Sequence, residues 1–399
     1  MKRFLIFMCA LFAFGACDAA MLNVLQNGNK TKILLDTTQR TTPALAVRID
    51  ESIYYANMET GCISGDVCVS YAGKQYSIQD NSKYAFLITT TQTTSRFSFS
   101  ISAAGRFTID WGDGTAPQEI VKTNTTNQTY SHTYMKSDIY KIGLDGAATG
   151  YSTDINTAAI SFKSNTNLAK IGGSLGAIFS TLDNGNQPRF PFTFMECTSL
   201  SGKIPPNLFA GINGAPISHM FLYLFRKDSK LAGEIPANLF AGIKGQPKNY
   251  MFESLFYGCS GLTGSIPENL FAGIQGAPAT SLFLSTFYGC SGLTGSIPKN
   301  LFAGIKGAPA EGMFRATFLN CSGLTGSIPY GLFGNLYGPP ITTMFSNTFA
   351  NCTGLTGPTA RMSAGTRLYD VMYNGKTWYE QMPAAFTDMY MGSGIISDL

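Results

Sequence analysis

Cys290-Ser291-Gly292-Leu293-Thr294-Gly295-Ser296-Ile297-Pro298 is identical to Cys259–Pro267 before it and to Cys321–Pro329 after it. The cysteines fall at a constant interval, and Cys197 and Cys352 keep the same register. Asp228 stands where the interval calls for one more cysteine, yet Leu231-Ala232-Gly233-Glu234-Ile235-Pro236 still follows it. Six units without length variation are the sequence signature of a solenoid, in which each unit buries its apolar face against its neighbours. Such an array offers an extended surface rather than a pocket.

Within a unit, Ala310, Met313, Phe314, Thr317, Phe318 and Cys321 follow steps of three and four, which predicts one face of a helix. Pro309 suits its first turn, Gly323 its end, and Leu324–Ile328 reads as a very short strand. Pro329 then opens a second short helix carrying Leu332, Phe333 and Leu336. The expected array is an α/β solenoid over 165–357, with atypical ends and a C-terminal cap over 358–399. Variation between units concentrates after the proline, at Pro206, Ala237, Glu268, Lys299 and Tyr330, and in the loop, at Asn213, Lys244, Gln275, Lys306 and Tyr337. The loop column is the candidate partner-binding set. Drift at exposed positions is the competing reading.

Upstream of the array the pattern changes to alternation. Leu45–Asp50, Val67–Gly73 and similar pieces predict short antiparallel hairpins in a small β domain over 21–82. A second β domain is expected over 83–150, where Phe97-Ser98-Phe99-Ser100-Ile101 alternates strictly and Asp113-Gly114 supplies a turn.

The N-terminus, with Lys2 and Arg3 before an apolar run from Phe4 to Ala16 and small residues at Ala19 and Ala20, has the layout of a signal peptide over 1–20. A competing reading makes Phe14-Gly15-Ala16-Cys17 a lipoprotein box. No other stretch is long and apolar enough for a membrane helix. The chain is therefore expected to be secreted or held at the cell surface. In that oxidising setting Cys62 and Cys68 are a candidate disulfide. Cys197, Cys259, Cys290, Cys321 and Cys352 are read instead as free, buried small hydrophobes, because five is an odd number and Asp228 interrupts the column.

The net charge of +4, with no basic block, points away from nucleic acid. The spacing of the cysteines and of the two histidines, His132 and His219, matches no metal site, and no cofactor loop or nucleophile elbow is present. Asp110 and Asp113 are read as turn-stabilising residues rather than cation ligands. Glu234 and Glu268 fall at variable, solvated positions rather than forming a catalytic pair. No enzymatic role is expected.

Two resemblances add to this reading. Trp111-Gly112-Asp113-Gly114-Thr115 followed by His132-Thr133-Tyr134 and Tyr140-Lys141-Ile142 resembles the PKD-type β-sandwich, with a contracted turn at Trp111-Gly112. The resemblance implies structural roles for Trp111, Asp113 and His132. Phe287-x-x-Cys290-x-x-Leu293 resembles the BspA-type leucine-rich repeats of bacterial surface proteins, although the interval between units is longer than usual. This likeness implies adhesion-like binding to a protein or glycan on host, matrix or neighbouring cells. A structural or self-associating surface component and an enzyme with an unrecognised site are the alternatives.

Overall fold

The computed structural model describes residues 84–363 and 365–395 in full, and six strands within the first 83 residues. The signal segment and the Cys62–Cys68 pairing lie outside the described residues. The chain divides into two compact units, 1–83 and 84–399.

In the first unit the strands form three antiparallel hairpins. They are β1 (Met21–Gln26) with β2 (Asn29–Leu34), β3 (Leu45–Ile49) with β4 (Ser52–Ala56), and β5 (Val67–Tyr71) with β6 (Lys74–Ile78).

The second unit begins with eight strands, β7 (Phe86–Thr90), β8 (Thr94–Ile101), β9 (Ala104–Asp110), β10 (Gln118–Lys122), β11 (Gln128–Asp138), β12 (Lys141–Gly150), β13 (Ile160–Ser161) and β14 (Leu168–Gly173). One antiparallel sheet has the order β10-β9-β12-β7-β14 and another the order β11-β8-β13. Alternation buries Phe97, Phe99 and Ile101 from β8 and Phe107 and Ile109 from β9. Rings from both sheets meet around Phe162, with Phe99 at 5.2 Å and Phe86 at 6.0 Å.

Downstream, the expected α/β leucine-rich-repeat solenoid is overturned. Every named sheet is antiparallel, and the only α-helices among the described residues are α1 (Leu175–Ile178) and α2 (Trp378–Gln381), of four residues each. No helix falls within the repeated units, and none in the described residues is long and apolar enough to cross a membrane.

The residues expected to form the repeat helix are instead a run of tight turns. In one unit Ser281, Ser285 and Gly289 adopt positive φ, at 51°, 52° and 70°. A left-handed residue at every fourth position is incompatible with an α-helix. The amides then divide their bonds. Thr286, Tyr288 and Cys290 donate to carbonyls three residues back, whereas Phe283, Ser285, Phe287 and Gly289 donate to Met313, Arg315, Thr317 and Leu319 of the next unit. Most of the backbone polarity of this buried run is thus satisfied without a helix.

The four-residue period still places the apolar residues on one side. Met313, Phe314, Thr317, Phe318 and Cys321 are all buried. Their equivalents form ring columns, Phe221–Phe252–Phe283–Phe314–Phe345 at 5.6–5.9 Å and Phe225–Phe256–Phe287–Phe318–Phe349 at 5.5–5.9 Å. The expected strand at Leu324–Ile328 is reduced to isolated parallel bridges, Gly295 with Leu324 and Gly326 with Leu355. The expected second helix is a turn, in which the Leu332 amide donates to the Pro329 carbonyl.

Both ends of the columns are closed. Phe162 stacks on Phe194 at 5.5 Å, so the residue that follows β13 starts one column. At the other end, Phe386 stacks on Phe345 and Tyr390 on Phe349, at 5.7 and 5.8 Å. Residues 385–391 accept from Phe345, Asn347, Phe349 and Asn351 as a further unit would. Tyr369 packs edge-on over Phe386 and Tyr390.

Candidate interaction surface

The loop-column residues Asn213, Lys244, Gln275, Lys306 and Tyr337 are all exposed, one per unit. Each follows a buried aliphatic residue, Ile212, Ile243, Ile274, Ile305 or Leu336, which anchors it to the core. The amides of Lys244, Gln275, Lys306 and Tyr337 donate to Gly214, Gly245, Gly276 and Gly307 of the preceding unit at 2.8–3.0 Å. The Asn213 amide bonds the Thr181 hydroxyl at 2.8 Å. The backbone is thus fixed while the side chains differ. Successive rungs of such a ladder stand about 4.7–4.9 Å apart.

Lys244 and Gln275 border a groove of about 510 Å³ with Asn238, Ala241, Asn269 and Gly273. Pro206, Ala237, Glu268, Lys299 and Tyr330 form a second exposed column, and Ala237 also lines the groove. Glu268 accepts a hydrogen bond from the Asn300 side chain at 2.7 Å. The loop column carries two lysines and no acidic residue.

A third group was not singled out from the sequence. Glu196 pairs with Lys227 at 3.0 Å and Arg226 at 3.7 Å. The Arg226 guanidinium lies over the rings of Tyr223 and Tyr257, at 5.4 and 4.9 Å, and Tyr257 stacks on Tyr288 at 4.3 Å. The Tyr223 hydroxyl donates to Glu253 at 2.7 Å. Burial and this bond push Tyr223 up to about 12, and burial also raises Glu253. The available signal was the charged pair Glu196 and Lys227, in a column that otherwise reads Gly258, Gly289, Asn320 and Asn351.

Trp111, Asp113 and His132 come together in one cluster. His132 Nε2 lies 2.7 Å from Asp113 Oδ2, and its ring stacks on Trp111 at 5.3 Å. The Tyr134 hydroxyl donates to the Trp111 carbonyl at 2.9 Å. Asp113 also accepts from the Thr115 amide and hydroxyl, at 3.1 and 2.6 Å. Burial pushes its carboxyl up, but the bonds from Thr115 and His132 outweigh that and hold it at about 2. Asp110 accepts from the Gly112 amide and the Tyr84 hydroxyl. These contacts tie β9 and its turn to β11. Among the described residues no nucleophile is in hydrogen-bond contact with His132. Among the described residues no group of three or more His, Cys, Asp and Glu is arranged to hold a metal ion.

Cys197, Cys259, Cys290, Cys321 and Cys352 are free and buried. Burial raises every one of these thiols, Cys352 to about 12. Asp228 occupies their column with no solvent exposure; the Cys197 backbone amide acts on its carboxylate, but among the described residues neither oxygen has a hydrogen bond of good geometry. No family model matches the chain, and no significant match is found to a curated protein or a solved structure.

Proposed function

We propose that the chain is a secreted or surface-held interaction protein, non-catalytic, that binds a protein or glycan along the exposed loop column. One observation carries this reading. Asn213, Lys244, Gln275, Lys306 and Tyr337 share a hydrogen-bonded backbone register, yet no two neighbours have the same side chain. A rigid scaffold under varied side chains is how precise recognition surfaces are built. The groove beside Lys244 and Gln275 supplies local concavity within the file. The N-terminal sequence Lys2-Arg3 followed by Phe4–Ala16 supports export.

The test uses the full chain on an array of defined glycans and purified matrix proteins. It is compared with a variant carrying alanine at all five loop-column positions. Loss of at least tenfold in affinity for the bound probe, with unchanged thermal stability, supports the reading. Equal binding by both proteins, or binding to no probe, rejects it.

A further inference from the structure

Asp228 interrupts a series of cross-unit bonds. The thiols of Cys259, Cys290, Cys321 and Cys352 donate to the carbonyls of Phe225, Phe256, Phe287 and Phe318, each 34 residues earlier, at 2.9–3.1 Å. The same offset from Asp228 leads to the Phe194 carbonyl. A protonated carboxyl has an O–H to donate there, as a thiol does, whereas a carboxylate has none.

The same joint lacks a second bond. In later units the hydroxyls of Thr286, Thr317 and Thr348 donate to Phe252, Phe283 and Phe314 at 2.9–3.0 Å. Leu224 takes that column position in the unit of Asp228 and cannot donate. The joint retains four backbone bonds, from Phe190, Phe192, Phe194 and Glu196 to Met220, Leu222, Leu224 and Arg226, together with its stacked rings, the ion pairs of Glu196 with Lys227 and Arg226, and bonds from the Ala232 amide to Gly202 and from Arg189 to the Ser218 carbonyl.

The titratable and charged groups around Asp228 do not compensate its charge. Glu196 and Cys197 face it from the preceding unit and Cys259 from the following one. On its own unit, Lys227 and Arg226 are engaged by Glu196. An ionised carboxylate in this position would be buried without a counter-charge or a full set of donors, which is strongly unfavourable.

We propose that the joint between the units ending at Cys197 and Asp228 is a pH-gated opening point, closed while the Asp228 carboxyl keeps its proton. Opening the joint hydrates the carboxyl and lets it ionise. Burial, the largest influence on this group, raises it well above the ordinary 3.8 in the closed form; the Cys197 backbone amide opposes this and the Glu196 charge adds to it. The closed joint therefore has its full stability below the ordinary carboxyl range and loses it as pH rises towards the closed-form value. Because the open form binds one proton fewer, the opening constant grows by up to about tenfold per pH unit across that window.

Hydrogen exchange on the full chain reads this directly. The amides of Phe190, Phe192, Phe194 and Glu196 report the joint. Those of Phe283, Ser285, Phe287 and Gly289 report one with cysteine and threonine in place. After correction for base catalysis, the first set should gain up to about tenfold more exchange per pH unit than the second. Asp228→Cys should abolish the difference, and Asp228→Asn serves the same purpose if the cysteine variant does not fold. Parallel pH dependence of the two sets in the unmodified chain overturns the proposal, as does a difference that survives in the folded variant.

Discussion

The Cys290 thiol donates a hydrogen bond to the backbone carbonyl of Phe256, 3.1 Å away in the neighbouring unit. The bond uses a small, weakly polar group to satisfy a buried acceptor where a larger side chain would disrupt the ring columns. Burial also raises the Cys290 thiol well above its ordinary value. Iodoacetamide should therefore leave Cys259, Cys290 and Cys321 unmodified in the folded chain and label all three after unfolding, as read by peptide mapping. Labelling of Cys290 under native conditions would contradict this placement.

Phe283 packs between Phe252 and Phe314 in its column and touches Phe271 and Phe302 at 4.9 and 4.6 Å. Phe283→Ala should cost about 3–5 kcal/mol by chemical denaturation. Lys306→Ala, at an exposed position, should stay within about 0.5 kcal/mol. Similar losses for both would mean that the columns do not carry the core.

Two glycines in one unit should respond for different reasons. Gly289 has φ of 70° and room for a Cβ, whose nearest neighbour would be 3.5 Å away. Gly289→Asn should be nearly neutral, because Asn320 and Asn351 hold the same conformation, whereas Gly289→Val should cost about 1–2 kcal/mol. At Gly292 a Cβ would lie 2.4 Å from the Leu262 carbonyl oxygen, so Gly292→Ala should destabilise more than Gly289→Ala. Thermal melts of the four variants check the order.

Asp113 sets an acid limit on the β9–β11 brace. Its carboxyl is held at about 2 in the folded chain, below its ordinary 3.8. The contribution is full above 3.8 and disappears as pH falls through that range towards 2. Between these values the unmodified chain should lose stability more steeply than Asp113→Asn, measured as melting temperature against pH. Parallel curves would show that the bonds to Thr115 and His132 are not coupled to folding.

The sequence made the buried side of each unit legible but not its backbone. Met313, Phe314, Thr317, Phe318 and Cys321 are buried, as their spacing required, yet steps of four arise from successive turns as well as from a helix. The distinguishing signal was the chemistry of the residues between the rings. Ser285, Gly289, Asn320, Asn347 and Asn351 are weak helix formers, and glycine and asparagine tolerate positive φ. Trp111, Asp113 and His132 were legible because each lies close to a recognisable turn or strand motif. The contact of Phe162 with both a sheet and the first repeat was not, since it depends on where β13 ends. Asp228 was visible as a break in a column, but its burial without a well-formed hydrogen bond emerges only when the neighbouring units close around it.

Each unit donates its Phe, Ser and Gly amides forward, while its loop-column amide and its Cys and Thr side chains donate back, so neighbouring units are tied by bonds running both ways. Residues 385–391 meet the last donor row, and Phe162 begins the first column. Duplicating or deleting an internal unit would leave both closures intact and change only the number of rungs. Each copied unit adds one residue to the exposed file, at a rung spacing of about 4.7–4.9 Å.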